Sequence, residues 1–244
     1  GYTNGLYWPR HVYGRMIQEL AHQGAEAIAF DVLLLELRPD HLAATLPDGT
    51  TEPSDRYLAR ELRQAGNVIL GSAEDAVPPE YFRTNAWAMG DISSRQDNDG
   101  ILRRARPFHD YLLWHPAIVR NRKRLTGFEA TTNEILFPGL NGTRTYIPIR
   151  EDATFDLTTL SELERGTNST AAYRRLAKAF TRLRAWDLGI TAAARHLNLD
   201  LANPLLESRQ IILRGPNGIQ RSIPINKDGS FHFGDIIRLS VIHI

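Results

Sequence analysis

Between Arg10 and His22, apolar side chains fall at Tyr13, Met16, Ile17 and Leu20, the three-and-four spacing of an amphipathic helix. Pro9 stands where a helix start tolerates proline, and Gly24 stands where a left-handed cap favours glycine. The run Ala27–Leu35 is apolar at every position but Asp31, which predicts a strand buried on both faces of a parallel sheet. The same order then recurs. Ser54 or Asp55 caps a helix with Leu58 and Leu62 on its inner side, Gly66 ends it, and Asn67–Leu70 supplies a second strand. Helix, glycine and strand twice over predict βα units on a right-handed parallel sheet. Such an array opens with a strand, so an opening strand is expected upstream of Gly1.

After Pro78-Pro79 the pattern changes. Trp87–Ile92 and Ile101–Phe108 flank the turn Asp99-Gly100 and predict a hairpin. Arg120–Gly142 is polar and irregular, and reads as a long loop or peripheral insertion. From Thr170 to Asn198, Tyr173, Leu176, Phe180, Leu183, Trp186 and Ile190 form one apolar stripe, which predicts a helix. Gln210–Arg214 and Gln220–Ile225 bracket a Gly-Pro-Asn-Gly turn as a second hairpin, and Ser230–Phe233 follows Asp228-Gly229 as a further strand. The expected fold is α/β: a parallel-sheet core of βα units with added β-hairpins and a helical insertion. Its expected parts are a core over residues 1–108, a peripheral loop and helical insertion over 109–205, and a returning hairpin with a terminal strand or helix over 206–244.

Composition narrows the chemistry. The 244 residues contain no Cys, which excludes disulfides, thiolate metal sites, Fe–S clusters and Cys nucleophiles. Lys and Arg number 29 against 28 Asp and Glu, a net charge of +1 that argues against general polyanion binding. The length suffices for a core without covalent staples. No apolar run approaches the roughly 20 residues of a membrane-spanning helix, and no secretory signal opens the sequence.

Several residues invite a functional reading. Asp31 interrupts an apolar strand, where an unpaired charge costs several kcal/mol. It is near the strand's end, paired, or facing a cleft; a buried carboxylate salt-bridged to Arg10 or capping a loop is the plainer reading. Ligands of open α/β sheets bind beyond the carboxyl ends of the strands, which places Asp31 and Glu36 near an expected pocket. Trp8-Pro9-Arg10 forms either a pocket rim, with Arg10 gripping an anion, or a hydrophobic staple with an internally paired arginine. Asp97-Asn98-Asp99-Gly100 resembles half of a calcium loop. Aligning its glycine puts Arg95 and Arg106 where calcium ligands are required, so a polar turn is expected and no metal. The segment carrying Arg174, Arg175, Lys178, Arg182 and Arg184 reads as a basic helix with a solvated face, more than as a nucleic-acid or lipid surface. No nucleophile elbow, phosphate loop, dinucleotide fingerprint or zinc motif occurs, and neither catalytic residues nor a cofactor are assigned.

Read together, Tyr7-Trp8-Pro9-Arg10, Gly24-Ala-Glu-Ala-Ile-Ala-Phe-Asp-Val-Leu33, Gly66-Asn-Val-Ile-Leu70 and Asp97-Asn-Asp-Gly-Ile-Leu-Arg-Arg104 form an ordered series. That series resembles the CHASE type-2 family, sensory extracellular domains of bacterial receptors associated with cyclases and histidine kinases. Residues from Ile223 to Ile237 resemble the family's closing strand and helix. The resemblance implies an extracytoplasmic input domain, tethered to the membrane by helices outside this chain, with an adenylate cyclase, histidine kinase or Ser/Thr kinase as output. It further implies a homodimer, expected through the long basic helix, and an unknown small-molecule or peptide ligand, with no nucleic acid. Trp8, Arg10, Asp31, Glu36 and Arg103 are the ligand-binding candidates. Two alternatives stand beside it: an α/β hydrolase-like enzyme using Asp31 and Glu36, and a protein-interaction domain without a small ligand.

Overall fold

Helix α1 (Arg10–His22) starts directly after Pro9 and buries Tyr13, Gly14 and Ile17 along one side, as its apolar spacing requires. The structure, a computed structural model, describes residues 8–73, 76–139, 142–167 and 173–232. The chain divides into two compact units, residues 1–109 with 184–244 and residues 110–183.

In the first unit, α1 leads into β1 (Ile28–Phe30). A small antiparallel pair follows, β2 (Ala44–Thr45) with β3 (Thr51–Glu52). Helix α2 (Ser54–Ala65) ends where Gly66 takes a φ of 64°, a left-handed conformation that costs glycine least. Strand β4 (Val68–Ser72) is buried throughout. Its alternation serves two faces. Val68 and Leu70 join Tyr13, Ile17, Leu58 and Leu62 in the core under α1 and α2, while Ile69 points to the opposite face. Short helix α3 (Glu80–Arg83) precedes β5 (Ala88–Asp91), and β6 (Ser94–Gln96) and β7 (Leu102–Ala105) form the hairpin closed by Asp99-Gly100. Strand β8 (Phe108–Trp114) then carries the chain out of this unit.

The second unit contains α4 (Pro116–Arg124), the antiparallel sheet of β9 (Glu129–Ala130), β10 (Glu134–Pro138) and β11 (Arg144–Pro148), then β12 (Thr154–Asp156) and α5 (Leu157–Arg165). Strand β13 (Leu176–Lys178) pairs with β12. Ile118, Ile135, Ile147, Phe155 and Leu160 make its own core. Strand β14 (Phe180–Asp187) returns the chain to the first unit and is followed at once by α6 (Leu188–Leu197). The antiparallel sheet of β15 (Asp200–Leu206), β16 (Gln210–Arg214) and β17 (Gln220–Pro224) follows, and β18 (Phe231–His232) pairs with β7.

The α/β reading holds. The central sheet runs β1-β4-β5-β14-β8, and β1, β4, β5 and the end of β14 are mutually parallel. Helix α6 packs on β5, and Gly90 permits it: a Cβ there would stand 2.5 Å from Leu188 Cδ1 and 2.9 Å from Leu188 Cα. The predicted α1, α2, β4 and the β16–β17 hairpin stand where the pattern put them.

Four expectations are corrected. The strand over Ala27–Leu35 shrinks to Ile28–Phe30, with Ala29 exposed, and β1 stands at the end of the described sheet. Trp87–Ile92 is no hairpin arm; it supplies β5, a parallel strand of the central sheet, and β6 takes its place opposite β7. Arg120–Gly142 is no loop, since it holds the end of α4 with β9 and β10. The helix expected over 170–198 is replaced, in its described part, by strands β13 and β14 as far as Asp187, and helix begins only at Leu188. Here packing overrides spacing: Arg184 lies 4.0 Å above the ring of Phe108, and Phe108 meets Trp186 edge to face. The expected opening strand and closing helix lie outside the described residues.

Candidate functional site

The carboxyl end of β5 is Asp91, and beyond it the β6–β7 hairpin and the Asp228–Ser230 turn enclose a cleft of about 750 Å³. Parallel strands leave such a space where their chains turn away in different directions. Among the described residues, Asp91, Asp97, Asp99 and Asp228 line it with Arg103, Arg104 and Arg106. Ser94, Gln96, Asn98 and His109 are also on its walls.

Local sequence sets this geometry. Asp99 accepts from the Ile101 amide at 3.1 Å and Gly100 takes a φ of 79°, so the Asp-Asn-Asp-Gly segment turns tightly and returns β7 beside β6. The return brings the arginines of β7 onto the aspartates of the turn. Arg104 donates to Asp97 from Nε at 3.0 Å and Nη2 at 2.6 Å, and Arg103 donates to Asp99 at 2.7 Å. Arg103 also reaches Asp97 at 3.3 Å. These bonds, with that from Arg104 foremost, hold the Asp97 carboxyl below the usual carboxylate range. Asp228 caps its own turn, accepting from the Ser230 hydroxyl at 2.6 Å and amide at 3.0 Å, and lies 3.6 Å from Arg104. Its carboxyl is lowered chiefly by the Ser230 hydroxyl.

Beneath the cleft, β5 and β14 place Asp91 opposite Asp187 in register. Both are buried, at 2% and 8% exposure. Asp91 accepts from the Ser93 hydroxyl at 2.7 Å, and Asp187 caps α6 by accepting from the amides of Gly189 and Ile190. Burial pushes the Asp187 carboxyl up to about 6 against the pull of those amides, and the Asp91 charge adds to the rise.

Of the residues singled out in the sequence, Arg103 lines the cleft; Trp8, Arg10, Asp31 and Glu36 do not. Trp8 is half-exposed and stacks on Tyr13 with ring centres 6.3 Å apart. Arg10 is buried, and its ionic partner is Asp55, at 3.9 Å, instead of Asp31. Burial draws the Arg10 guanidinium below its ordinary value, with Asp55 opposing. Asp31 is exposed, one residue past β1, so the buried pairing expected of it is absent. Glu36 is exposed; its carbonyl accepts from Arg10 at 3.3 Å and its carboxylate lies 3.7 Å from Arg38. Sequence reasoning missed Asp91, Arg106 and Asp228 as neighbours. The strand-end rule contained the signal for Asp91, but it was applied to β1, because a sequence does not reveal strand order.

Among the described residues, no group of three or more His, Cys, Asp or Glu side chains is placed to hold a metal ion. No helix among them is long and apolar enough to cross a membrane. Neither the curated proteins nor the solved structures searched gave a match. A family model described as the CHASE2 domain matches residues 3–232, which takes in all of the second unit, most of the first and every block of the motif series. The chain therefore belongs to the CHASE2 family of sensory domains.

Proposed function

We propose that this chain is the extracytoplasmic ligand-sensing input domain of a bacterial transmembrane receptor, and that its ligand occupies the cleft beyond β5. The observation that carries the reading is the use made of the Asp97–Arg104 block. That block, one of the four that carry the resemblance to the family, forms a wall of a cleft of about 750 Å³ at the carboxyl edge of the parallel sheet. A volume of that size falls within the roughly 300–1,000 Å³ of small-molecule sites. In this reading the output is a cyclase or kinase elsewhere in the receptor, two copies of the domain work together, and the membrane anchors lie outside this chain. A ligand acts by binding one arrangement of the domain better than another.

The reading is tested by topology in the full-length receptor. Reporters active only outside or only inside the cytoplasm are inserted at the exposed turn Thr132-Asn133. Activity of the outside reporter is expected. Activity of the inside reporter alone overturns the receptor assignment. Sedimentation of the receptor in detergent checks the dimer, for which a purely monomeric species is the contrary result.

A further inference from the structure

The cleft's charges are unevenly committed. Asp97 takes bonds from two arginines, Asp99 from Arg103, Asp228 from Ser230 with Arg104 alongside, and Asp91 from Ser93. Arg103 and Arg104 are thereby paired in charge with this chain's own carboxylates. Arg106 differs. It is exposed on the cleft wall and, among the described residues, makes no hydrogen bond or ion pair. Three neutral lining side chains share that condition: the hydroxyl of Ser94 and the carboxamides of Gln96 and Asn98.

We infer that the cleft binds a hydroxylated organic carboxylate, with the carboxylate on Arg106 and the hydroxyls on Ser94, Gln96 and Asn98. This rests on the cleft being the sensory site. A guanidinium carries five donors and no acceptor in a planar fork, which a carboxylate fills with two parallel bonds. Charge favours one negative group over two. Among the described lining side chains four aspartates stand against three arginines, so a phosphate dianion meets more repulsion than a single carboxylate. The neutral groups decide the rest of the molecule. A hydroxyl and two carboxamides each offer donor and acceptor, the complement of an alcohol. Apart from His109 no aromatic ring among the described residues lines the cleft, so a flat aromatic acid finds little to stack on.

The test uses this chain and four probes: acetate, D-glucuronate, D-glucose and D-glucose 6-phosphate. The Arg106 Nε–H resonance, assigned by its loss in Arg106→Lys, is followed during titration, and affinities are taken by calorimetry. Glucuronate should move the resonance and bind at least tenfold more tightly than glucose, and Arg106→Ala should weaken it at least tenfold, the scale of one charge-assisted bond pair. Arg106→Lys should fall between the two, since it keeps the charge and loses the fork. Equal binding of glucose overturns the anchor, and tighter binding of glucose 6-phosphate overturns the carboxylate. An Arg106 resonance unmoved by acetate and glucuronate at tens of millimolar overturns the site. The shift is read on the unsubstituted chain, so it stands even where a variant folds poorly. The two readings fail separately: an inside-only reporter removes the receptor and leaves the carboxylate site, whereas a silent Arg106 removes the site and leaves the receptor.

Discussion

Arg10 carries its charge at 4% exposure, and neither its Nε nor its Nη1 makes a hydrogen bond among the described residues. What it does make is a link between the start of α1, the Glu36 carbonyl and the first turn of α2 through Asp55. Removing one member of a buried pair leaves the other charge desolvated and alone, at a cost of about 3 kcal/mol. Arg10→Ala should show that loss in urea denaturation, whereas Asp31→Ala, at an exposed position, should stay within about 0.5 kcal/mol. Equal effects of the two would mean that the Arg10–Asp55 link is not structural.

Asp187 gives stability a pH dependence of defined sign. Its folded carboxyl titrates near 6, above its unfolded value, so the folded state holds the proton more tightly. Stability is therefore greatest when Asp187 is protonated, and falls as pH rises from the ordinary carboxylate range to about 6. The full effect is about 3 kcal/mol, from 1.36 kcal/mol per pH unit. Asp187→Asn keeps an oxygen for the Gly189 and Ile190 amides and cannot ionise. The variant should lose this slope between pH 4 and 6, on the order of that window, and be the more stable protein at neutral pH. A variant that melts lower than the parent at neutral pH would show that the ionised cap is the stabilising form.

At the scale of elements, the contact between α6 and β5 depends on one missing methyl group. A side chain at position 90 meets the Cα of Leu188 as well as its flexible end, so the helix itself must withdraw. Gly90→Ala should cost about 1–3 kcal/mol, measured by denaturation, as overpacking of a tight interface does. An unchanged midpoint would mean that α6 slides on the sheet at little cost. Elements built from local rules were legible in the sequence: α1 and α2 from their apolar stripes, β4 from its continuous burial, β16–β17 from the turn between them. The segment ending at Asp187 was not. Phe180, Leu183 and Trp186 fit helical spacing, but Phe180 and Trp186 also lie on one face of a strand, and only partners such as Phe108 choose between the periods.

For the molecule as a whole, the α/β class and the sensory family followed from blocks that are contiguous in sequence. The candidate site did not, apart from Arg103. Its walls come from β5, the β6–β7 hairpin and the turn before β18, which stand more than a hundred residues apart. Charge pairing within the hairpin was within reach, since Asp97, Asp99, Arg103 and Arg104 are neighbours in the chain. That Asp228 completes the wall depends on β18 returning to β7, a long-range pairing that no local pattern announces.

That pairing has a mechanical side. Phe231 lies opposite Ala105 and His232 opposite Arg104, so the strand that precedes Arg106 is laced by backbone bonds to the last described strand. Phe231, wholly buried, pins the ladder to the core, while Arg104 and Arg106 stand on its free side. A ligand held by Arg106 would therefore load the β7–β18 backbone bonds one residue from Ala105, the position that Phe231 pins.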